Sequence, residues 1–303
     1  MSISAVNKDV AWAAGSETDG CRPMLRRTLD GGSTWEKLNP SNIRNWVSSI
    51  AAIDSNTAWA GAPNGPDIFK TIDGGITWTS RGKIAADHLS ATSEDVVWAV
   101  GDSSIYRTVD SGAHWEVARA IPGEHYTNVY ALKSGTASVV GYTATGENQF
   151  YGFILMTTDG GDTWDKYSPE SLPQLFGIYA PNANIAWVAG GEGGHAHTGI
   201  ILRTLDGGGR WIVILGGTLG QLKSIFAVGQ DAAWAVGYAA DGNQDMRNAI
   251  LGTHDGGFTW IIQSIFPGFQ GYLNDIHGVD AEVIWAVGSK GLILRTENGG
   301  WTR

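Results

Sequence analysis

A pattern of apolar and small residues recurs seven times along the chain. Each copy has an aliphatic residue nine positions before a segment that reads Trp-Ala-Val-Gly or a close variant. These aliphatic residues are Ile3, Ile50, Leu89, Val129, Ile178, Ile225 and Ile276. Runs of about four to six alternating apolar residues between Gly, Asn and Asp are typical of short β-strands joined by tight turns. The pattern therefore predicts a repeated all-β unit.

A second motif alternates with the first and reads Thr-x-Asp-Gly-Gly-x-Thr-Trp in its commonest form. Its third position is occupied by Asp30, Asp73, Asp110, Asp159, Asp206, Asp255 and Asn298. Successive copies are separated by 37 to 49 residues, and a period in this range indicates a repeat architecture. The last copy is degenerate, because two residues are missing before Trp301.

Each repeat is long enough for four short strands, A to D. Four-stranded sheets at this period pack face to face around an axis, which is the β-propeller. We therefore predict one all-β domain, a seven-bladed β-propeller of four-stranded antiparallel blades, over residues 1–303. The approximate blade limits are 1–43, 44–83, 84–121, 122–170, 171–217, 218–267 and 268–303.

The last blade is predicted to have a stunted outer strand. Other copies continue past the Trp of the second motif, whereas the sequence stops two residues after Trp301. Blade 7 should then have three strands plus a stub. The exposed edge of its strand C is expected to fray, to pair with another molecule or to belong to a longer chain.

The second motif resembles the Asp box (BNR repeat) of sialidases, sortilin-type receptors, xyloglucan-cleaving glycoside hydrolases and the photosystem II stability and assembly factor family. The resemblance implies that the motif forms the turn from strand C to strand D and that its Trp lies between blades. A calcium loop needs several oxygen side chains, whereas each turn here offers one carboxylate flanked by Gly. We therefore expect a structural role for the seven Asp or Asn residues.

A basic residue precedes the Thr of the box in five of the seven copies. These residues are Arg27, Lys70, Arg107, Arg203 and Arg295. Because the basic residue recurs with the fold, pairing between blades or packing of its aliphatic stem is a better explanation than an anion site.

The chain has 20 basic and 30 acidic residues, hence a net charge of −10, and its pI is 5.1. Such a charge argues against nucleic acid as a partner and against a strongly cationic surface. The single Cys21 excludes an intrachain disulfide and a Cys-rich metal site. No stretch approaches the ~20 apolar residues of a membrane span, so membrane insertion is not expected. The sequence begins with no signal peptide, and the compartment stays open, since a trimmed chain is compatible with export.

Candidate binding residues lie in the long hairpins between strands B and C of blades 4 to 6, which form a lopsided rim. They are Tyr142, Glu147, Tyr151, Glu192, His195, His197, Tyr238, Asp241, Asp245 and Arg247. Amide, carboxylate and aromatic side chains suit sugars or a polar protein surface, and a solvated loop is the alternative interpretation. Glu192 with His195 and His197 can be arranged as metal ligands on an extended strand. No second ligand cluster supports this, so neither a metal nor another cofactor is predicted.

Three further candidates lie four residues before the aliphatic residue of strand A, near the predicted channel mouth. They are Trp46, His125 and Tyr272. A packing role between blades is the alternative interpretation for the two aromatic residues.

Across the whole chain, the combined motifs look most like the photosystem II assembly factor family and its bacterial relatives outside photosynthesis. The resemblance implies a non-catalytic scaffold that docks a protein partner, here through the face with the long hairpins of blades 4 to 6, and we expect a monomer. Carbohydrate binding is the alternative, and a glycoside hydrolase of sialidase or xyloglucanase type is third. Sialidases use three convergent arginines and a Tyr paired with a Glu, whereas Arg44 is the one arginine near a strand A start. No catalytic residue is therefore assigned.

Overall fold

Short strands that each pair with the next one along the chain build the protein. The computed structural model describes residues 1–16, 22–63, 67–101, 103–145, 149–192, 199–216, 219–240, 246–265 and 271–300. The strands form seven antiparallel sheets, each in chain order, and the fold is the predicted all-β seven-bladed β-propeller. Within the described residues, no helix has the length and apolar character that crossing a membrane requires.

The first three blades each have four strands. Blade 1 contains β1 (Ser2–Ala5), β2 (Ala11–Ser16), β3 (Pro23–Thr28) and β4 (Glu36–Leu38). Blade 2 contains β5 (Ser49–Ala52), β6 (Ala58–Gly61), β7 (Ile68–Thr71) and β8 (Thr79–Ser80). Blade 3 contains β9 (His88–Ala91), β10 (Val97–Gly101), β11 (Ser104–Thr108) and β12 (Glu116–Ala120).

Blades 4 to 6 also have four strands, some of them longer. Blade 4 contains β13 (Glu124–Lys133), β14 (Thr136–Ala144), β15 (Phe150–Thr157) and β16 (Asp165–Tyr167). Blade 5 contains β17 (Leu175–Tyr179), β18 (Ala186–Gly190), β19 (Ile200–Thr204) and β20 (Ile212–Gly216). Blade 6 contains β21 (Leu219–Val228), β22 (Ala232–Ala240), β23 (Met246–Thr253) and β24 (Ile261–Ile265).

Blade 7 differs from the others, because its sheet has three strands within the described residues. They are β25 (Leu273–Gly278), β26 (Val283–Gly288) and β27 (Leu292–Glu297), with a single 3₁₀ turn at Ser289–Gly291. Within the described residues blade 7 has no fourth strand, and the stunted outer strand stays a prediction. The predicted stub, residues 301–303, lies outside the described residues.

The chain divides into two compact units. Unit 1 comprises Met1–Ala137 and Thr157–Trp164, and unit 2 comprises Ser138–Met156 and Asp165–Arg303. The organisation as one domain and the approximate blade limits stay predictions.

In unit 1, the core repeats one arrangement of two tryptophans. The strand B tryptophans Trp12, Trp59 and Trp98 are fully buried. The Trp of the following blade's box lies edge-on against each of them, with Trp78 at 6.3 Å from Trp12 and Trp164 at 5.8 Å from Trp98 between ring centroids. The prediction that the box Trp lies between neighbouring blades is confirmed in this unit.

Unit 2 repeats the same packing in blades 5 and 6. Trp260 lies edge-on against the buried Trp187, with 6.2 Å between ring centroids. The guanidinium of Arg203 lies 5.1 Å from the centroid of the Trp187 ring, and its Nη1 donates to the carbonyl of Gln230 at 2.7 Å. The basic residue before the box Thr thus links adjacent blades, as predicted.

The box turns are closed by their Thr and Asp side chains. The Asp30 carboxylate accepts a hydrogen bond from the Thr34 backbone N–H at 2.9 Å and from the Thr34 hydroxyl at 2.6 Å. The Thr28 hydroxyl donates to Asp30 at 2.8 Å and accepts from the Gly32 N–H at 2.8 Å. The Thr-to-Asp and backbone-to-Asp bonds recur at Asp73, Asp110, Asp159, Asp206 and Asp255. In the last turn, Asn298 accepts from Thr296 and from the Gly300 N–H.

Hydrogen bonds to an ionised carboxylate favour the charged form and lower its pKa. The Thr34 hydroxyl lowers the pKa of Asp30 to about 2, and the His114 backbone N–H does the same for Asp110. The Thr259 hydroxyl lowers the pKa of Asp255 to about 2. These turns therefore carry a negative charge at neutral pH.

Each box turn is also bonded to the A–B turn of its own blade. The Gly31 N–H donates to the carbonyl of Asp9 at 2.9 Å, and the Gly74 N–H donates to Asn56 at 2.9 Å. The A–B and C–D turns of a blade therefore share one end, which we call the turn face. The B–C hairpins and the D–A connections lie at the other end of each blade, which we call the hairpin face.

Candidate binding site on the hairpin face

A cavity of about 380 Å³ opens on the hairpin face of blades 4 and 5, in unit 2. It is formed by the start of β15, the connection from β16 to β17, and the ends of the strands in blade 5. The lining residues are Phe150, Tyr151, Glu170, Ser171, Leu172, Pro173, Glu192, Gly199, Ile200 and Gly216. The volume lies within the range of small-ligand pockets and suits one or two side chains of a bound segment.

A close approach of two backbone segments forms one wall of this cavity. The Gly152 N–H donates to the carbonyl of Leu172 at 2.7 Å, and the Ser168 hydroxyl donates to the carbonyl of Gly152 at 3.2 Å. A Cβ on residue 152 would lie 2.1 Å from the carbonyl oxygen of Pro173. Glycine at 152 is therefore what allows the D–A connection to lie directly against β15.

The polar and aromatic groups of the cavity come from three separate segments. Tyr142 packs edge-on against Phe150, with 5.4 Å between ring centroids, and Phe150 precedes the half-buried Tyr151. Glu170 and Glu192 are exposed at the opening. The structure thus brings two predicted residues, Tyr151 and Glu192, into one cavity together with an aromatic ring and a second carboxylate.

Two other predicted residues meet at the junction of blades 6 and 7. Tyr238 on β22 lies edge-on against Tyr272, with 6.0 Å between ring centroids. Burial, with a smaller contribution from Tyr272, raises the pKa of Tyr238 to about 12. The buried Asn248 holds the connection, because it donates to the carbonyl of Gly271 at 2.6 Å and accepts from the Leu273 N–H at 2.9 Å.

The remaining hairpin candidates divide into one described residue and five that are not described. Arg247 is half-buried on β23. The predicted residues outside the described part of the chain are Glu147, His195, His197, Asp241 and Asp245. Among the described residues, no group of three or more His, Cys, Asp or Glu side chains is close enough to hold a metal ion.

The two predicted residues of unit 1 lie in different surroundings. Trp46 is half-buried just before β5. His125 is on β13 between two buried residues, Glu124 and Tyr126. The Tyr126 hydroxyl donates to Glu124 at 2.7 Å, and Arg119 donates to the same carboxylate through two bonds of 3.2 Å.

This Tyr–Glu pair contains the residue types of a sialidase nucleophile, but its environment opposes that chemistry. Tyr126 is 3% exposed, so its hydroxyl is shielded from a substrate. Burial raises the pKa of Tyr126 well above its ordinary value, whereas a nucleophile needs its ionised form. The cluster therefore joins the end of blade 3 to the start of blade 4 as a structural contact.

A second cavity, of about 360 Å³, lies on the hairpin face of unit 1 and was missed from the sequence. It is lined by Arg22, Pro23, Lys37, Leu38, Asn39, Pro40, Ile43 and Arg44. Three of these side chains are cationic, and no carboxylate is among the lining residues. The net charge of −10 argued against a cationic surface, yet the fold gathers positive charge locally. A signal was present, since Lys37 and Arg44 lie on either side of Pro40 in the connection that follows β4.

Most residues that line the first cavity were not among the binding residues predicted from the sequence. Phe150 adjoins the predicted Tyr151, whereas residues 170–173 belong to the D–A connection between β16 and β17 and not to a long B–C hairpin. Prolines at 169 and 173 on either side of this segment are a sequence signal for a rigid connection.

Comparison with solved structures shows the same fold in two structures of YCF48, a photosystem II assembly factor. YCF48 bound to D1 peptide superposes with a TM-score of 0.69 and 19% identity, covering 98% of this chain and 92% of that chain. YCF48 from Cyanidioschyzon merolae gives a TM-score of 0.67 and 18% identity, covering 98% and 94%. The predicted resemblance to the assembly factor propellers is confirmed at the level of the fold.

A more distant similarity connects the chain to an enzyme. The GH74 xyloglucanase from Xanthomonas campestris gives a TM-score of 0.55 and 13% identity, covering 99% of this chain and 65% of that chain. No protein-family model matches the sequence, and no curated protein matches it. At these identities the comparisons establish the shared architecture.

Proposed function

We propose that the protein is a non-catalytic scaffold that binds a protein partner through the hairpin face of blades 4 to 6. The observation that carries this proposal is the cavity between blades 4 and 5, which the backbone holds open through the Gly152 to Leu172 hydrogen bond. Preformed concave sites bind with a smaller entropic cost than loops that must order on binding.

The chemistry of the cavity suits a peptide segment. Phe150 and Tyr151 provide aromatic area, which is enriched at protein interfaces. Glu170 and Glu192 at the opening favour a side chain with an apolar stem and a positive or hydrogen-bonding end. The structure of YCF48 bound to D1 peptide supports a protein partner, since the same architecture binds a peptide there.

The test uses peptides selected by phage display against the whole chain. The dissociation constant of a selected peptide is measured by fluorescence anisotropy for the wild type and for Tyr151→Ala. Loss of an aromatic side chain that would be buried against the bound peptide is expected to weaken binding by about tenfold or more. Val117→Ser is the matched control, because Val117 is 59% exposed on β12 and lies outside the cavity. Equal affinities of Tyr151→Ala and Val117→Ser would refute docking at this site.

Carbohydrate binding is the second candidate, favoured by the aromatic rings of Phe150 and Tyr151 beside two carboxylates. Sugar rings stack on aromatic faces, and carboxylates accept hydrogen bonds from hydroxyls. Calorimetric titration with xyloglucan oligosaccharides and sialyllactose separates the two candidates. Carbohydrate binding is favoured if a sugar gives saturable heat that disappears in Tyr151→Ala and phage display selects no peptide.

Glycoside hydrolysis ranks third, and the same sugars test it. Release of product from sialyl or glucosyl conjugates, abolished in Glu170→Gln or Glu192→Gln, would make the protein an enzyme. The separation of those two carboxylates would then decide between retention and inversion.

A further inference from the structure

The turn face of blades 1 to 3 exposes large aliphatic side chains at the tips of successive box turns. Ile72 is 66% exposed and Ile76 is 77% exposed in blade 2, while Leu29 and Val109 are each 52% exposed in blades 1 and 3. They occupy the variable positions of the box, so the hydrogen bonds that close the turn do not require them. Groups of exposed apolar side chains of this kind mark interaction surfaces.

Neighbouring turns on this face are held together by the basic residues that precede them. Arg27 Nη1 donates to the carbonyl of Ser55 at 2.7 Å, which ties blade 1 to the A–B turn of blade 2. Lys70 Nζ donates to the carbonyl of Glu94 at 3.0 Å and to the Ser111 hydroxyl at 2.9 Å, which ties blade 2 to both turns of blade 3. The exposed tips therefore belong to one connected surface.

The charge of this surface is negative. An Asp with a lowered pKa stands beside each aliphatic tip, at positions 30, 73 and 110. The A–B turns add the exposed carboxylates of Asp9 and Asp54, opposed by Lys8, and the exposed ring of His114 contacts Asp110 in the box turn of blade 3. The Arg27 and Lys70 side chains, only 11% and 5% exposed, lie over Trp12 and Trp59 and add little charge at the surface.

We propose that the turn face of blades 1 to 3 docks a protein segment in which Lys or Arg alternates with aliphatic side chains. The aliphatic tips supply apolar area, and the carboxylates between them are complementary to the positive charges. Anionic lipid headgroups and nucleic acid phosphates are repelled by the same carboxylates. This surface is at the opposite end of the blades from the hairpin face, so the inference is independent of the proposed function.

The experiment measures binding of a fluorescein-labelled dodecapeptide of alternating Lys and Leu to the whole chain, with the Glu and Leu dodecapeptide as the comparison. The Lys peptide is expected to bind at least about tenfold more tightly than the Glu peptide, and more weakly as the ionic strength rises. The double variant Ile72→Ser with Ile76→Ser is expected to lose about tenfold in affinity. Asp9→Asn with Asp54→Asn is expected to lose about threefold.

Val117→Ser is again the matched control and should change the affinity by less than about twofold, since its exposed aliphatic side chain is on the outer strand β12 and does not belong to a box turn. Circular dichroism and urea unfolding of each variant verify the fold. Equal binding of the two dodecapeptides, or equal loss in Val117→Ser and the Ile72 and Ile76 double variant, would overturn the proposal. A third outcome would also overturn the proposal: the chain co-sediments with phosphatidylcholine vesicles, this depends on Ile72 and Ile76, and the Lys peptide does not bind. The turn face would then contact a membrane.

Discussion

The two ends of the blades differ in whether their side chains recur from one blade to the next. At the turn face, Thr34 and Thr259 donate to Asp30 and Asp255 through backbone bonds of the same length, 2.9 Å, in blades 1 and 6. At the hairpin face, one cavity is lined by Tyr151 and two carboxylates, and another by three cations. Residues that recur from blade to blade therefore build the fold, and residues that do not recur give each region of the surface its own chemistry.

The largest effect is expected for a recurring residue in the core. Trp98 is fully buried, lies 5.8 Å from Trp164 and is covered by Arg107 at 5.4 Å from its ring centroid. Trp98→Ala is expected to lower the free energy of unfolding by about 3–5 kcal/mol, because it leaves a cavity and an uncovered guanidinium. Urea unfolding monitored by circular dichroism measures the change.

The control for Trp98→Ala is Trp46→Ala, at a half-buried tryptophan outside the repeats. It should cost about 1 kcal/mol, since less apolar area is lost from the interior. Similar losses for the two variants would remove the distinction between recurring and non-recurring tryptophans.

An intermediate effect is expected at the hairpin face. Gly152→Ala places a Cβ 2.1 Å from the carbonyl oxygen of Pro173 and must displace the D–A connection. We expect a loss of about 1–3 kcal/mol in unfolding free energy, as for overpacked sites, together with weaker binding of a cavity-selected peptide. Urea unfolding and fluorescence anisotropy measure the two effects.

Gly135→Ala is the matched control, because the nearest atom to its added Cβ is 3.4 Å away. It should leave peptide binding unchanged. If Gly152→Ala bound the peptide as the wild type does, the wall formed by residues 170–173 would not shape the site.

The smallest effect is expected for a single turn carboxylate. The pKa of Asp255 falls from its ordinary 3.8 to about 2 on folding, so its ionised form stabilises the protein above about pH 4. That stability is lost as the pH falls through about 2. Asp255→Asn should therefore be less stable than the wild type at pH 7, and the difference should shrink between about pH 4 and pH 2. Urea midpoints at pH 7, 4, 3 and 2 measure it, and a constant difference would contradict the assignment.

Most of the fold was predictable because the residues that determine it recur in every blade. The period of the Trp-Ala-Val-Gly and box motifs specified seven blades, and the structure contains seven sheets. Each prediction needed only local chemistry, such as a Thr hydroxyl that reaches the Asp two residues later.

The binding surfaces were less predictable because they depend on which segments the fold brings together. Tyr151 and Glu192 were found from hairpin length, but Glu170 comes from a connection whose position depends on Gly152. Arg22 and Arg44 are far apart in sequence and face one cavity through the pairing of strands in blade 1. A net charge is an average and does not report such local groups.

The basic residues that precede the boxes of blades 1 to 3 all reach in the same direction along the chain. Arg27, Lys70 and Arg107 reach forward, each to a backbone carbonyl of the next blade along the chain. Blades 2 and 3 therefore each carry a carbonyl that receives the cation of the preceding blade and a cation that reaches the following blade. The three junctions are closed by hydrogen bonds of the same sense along the chain.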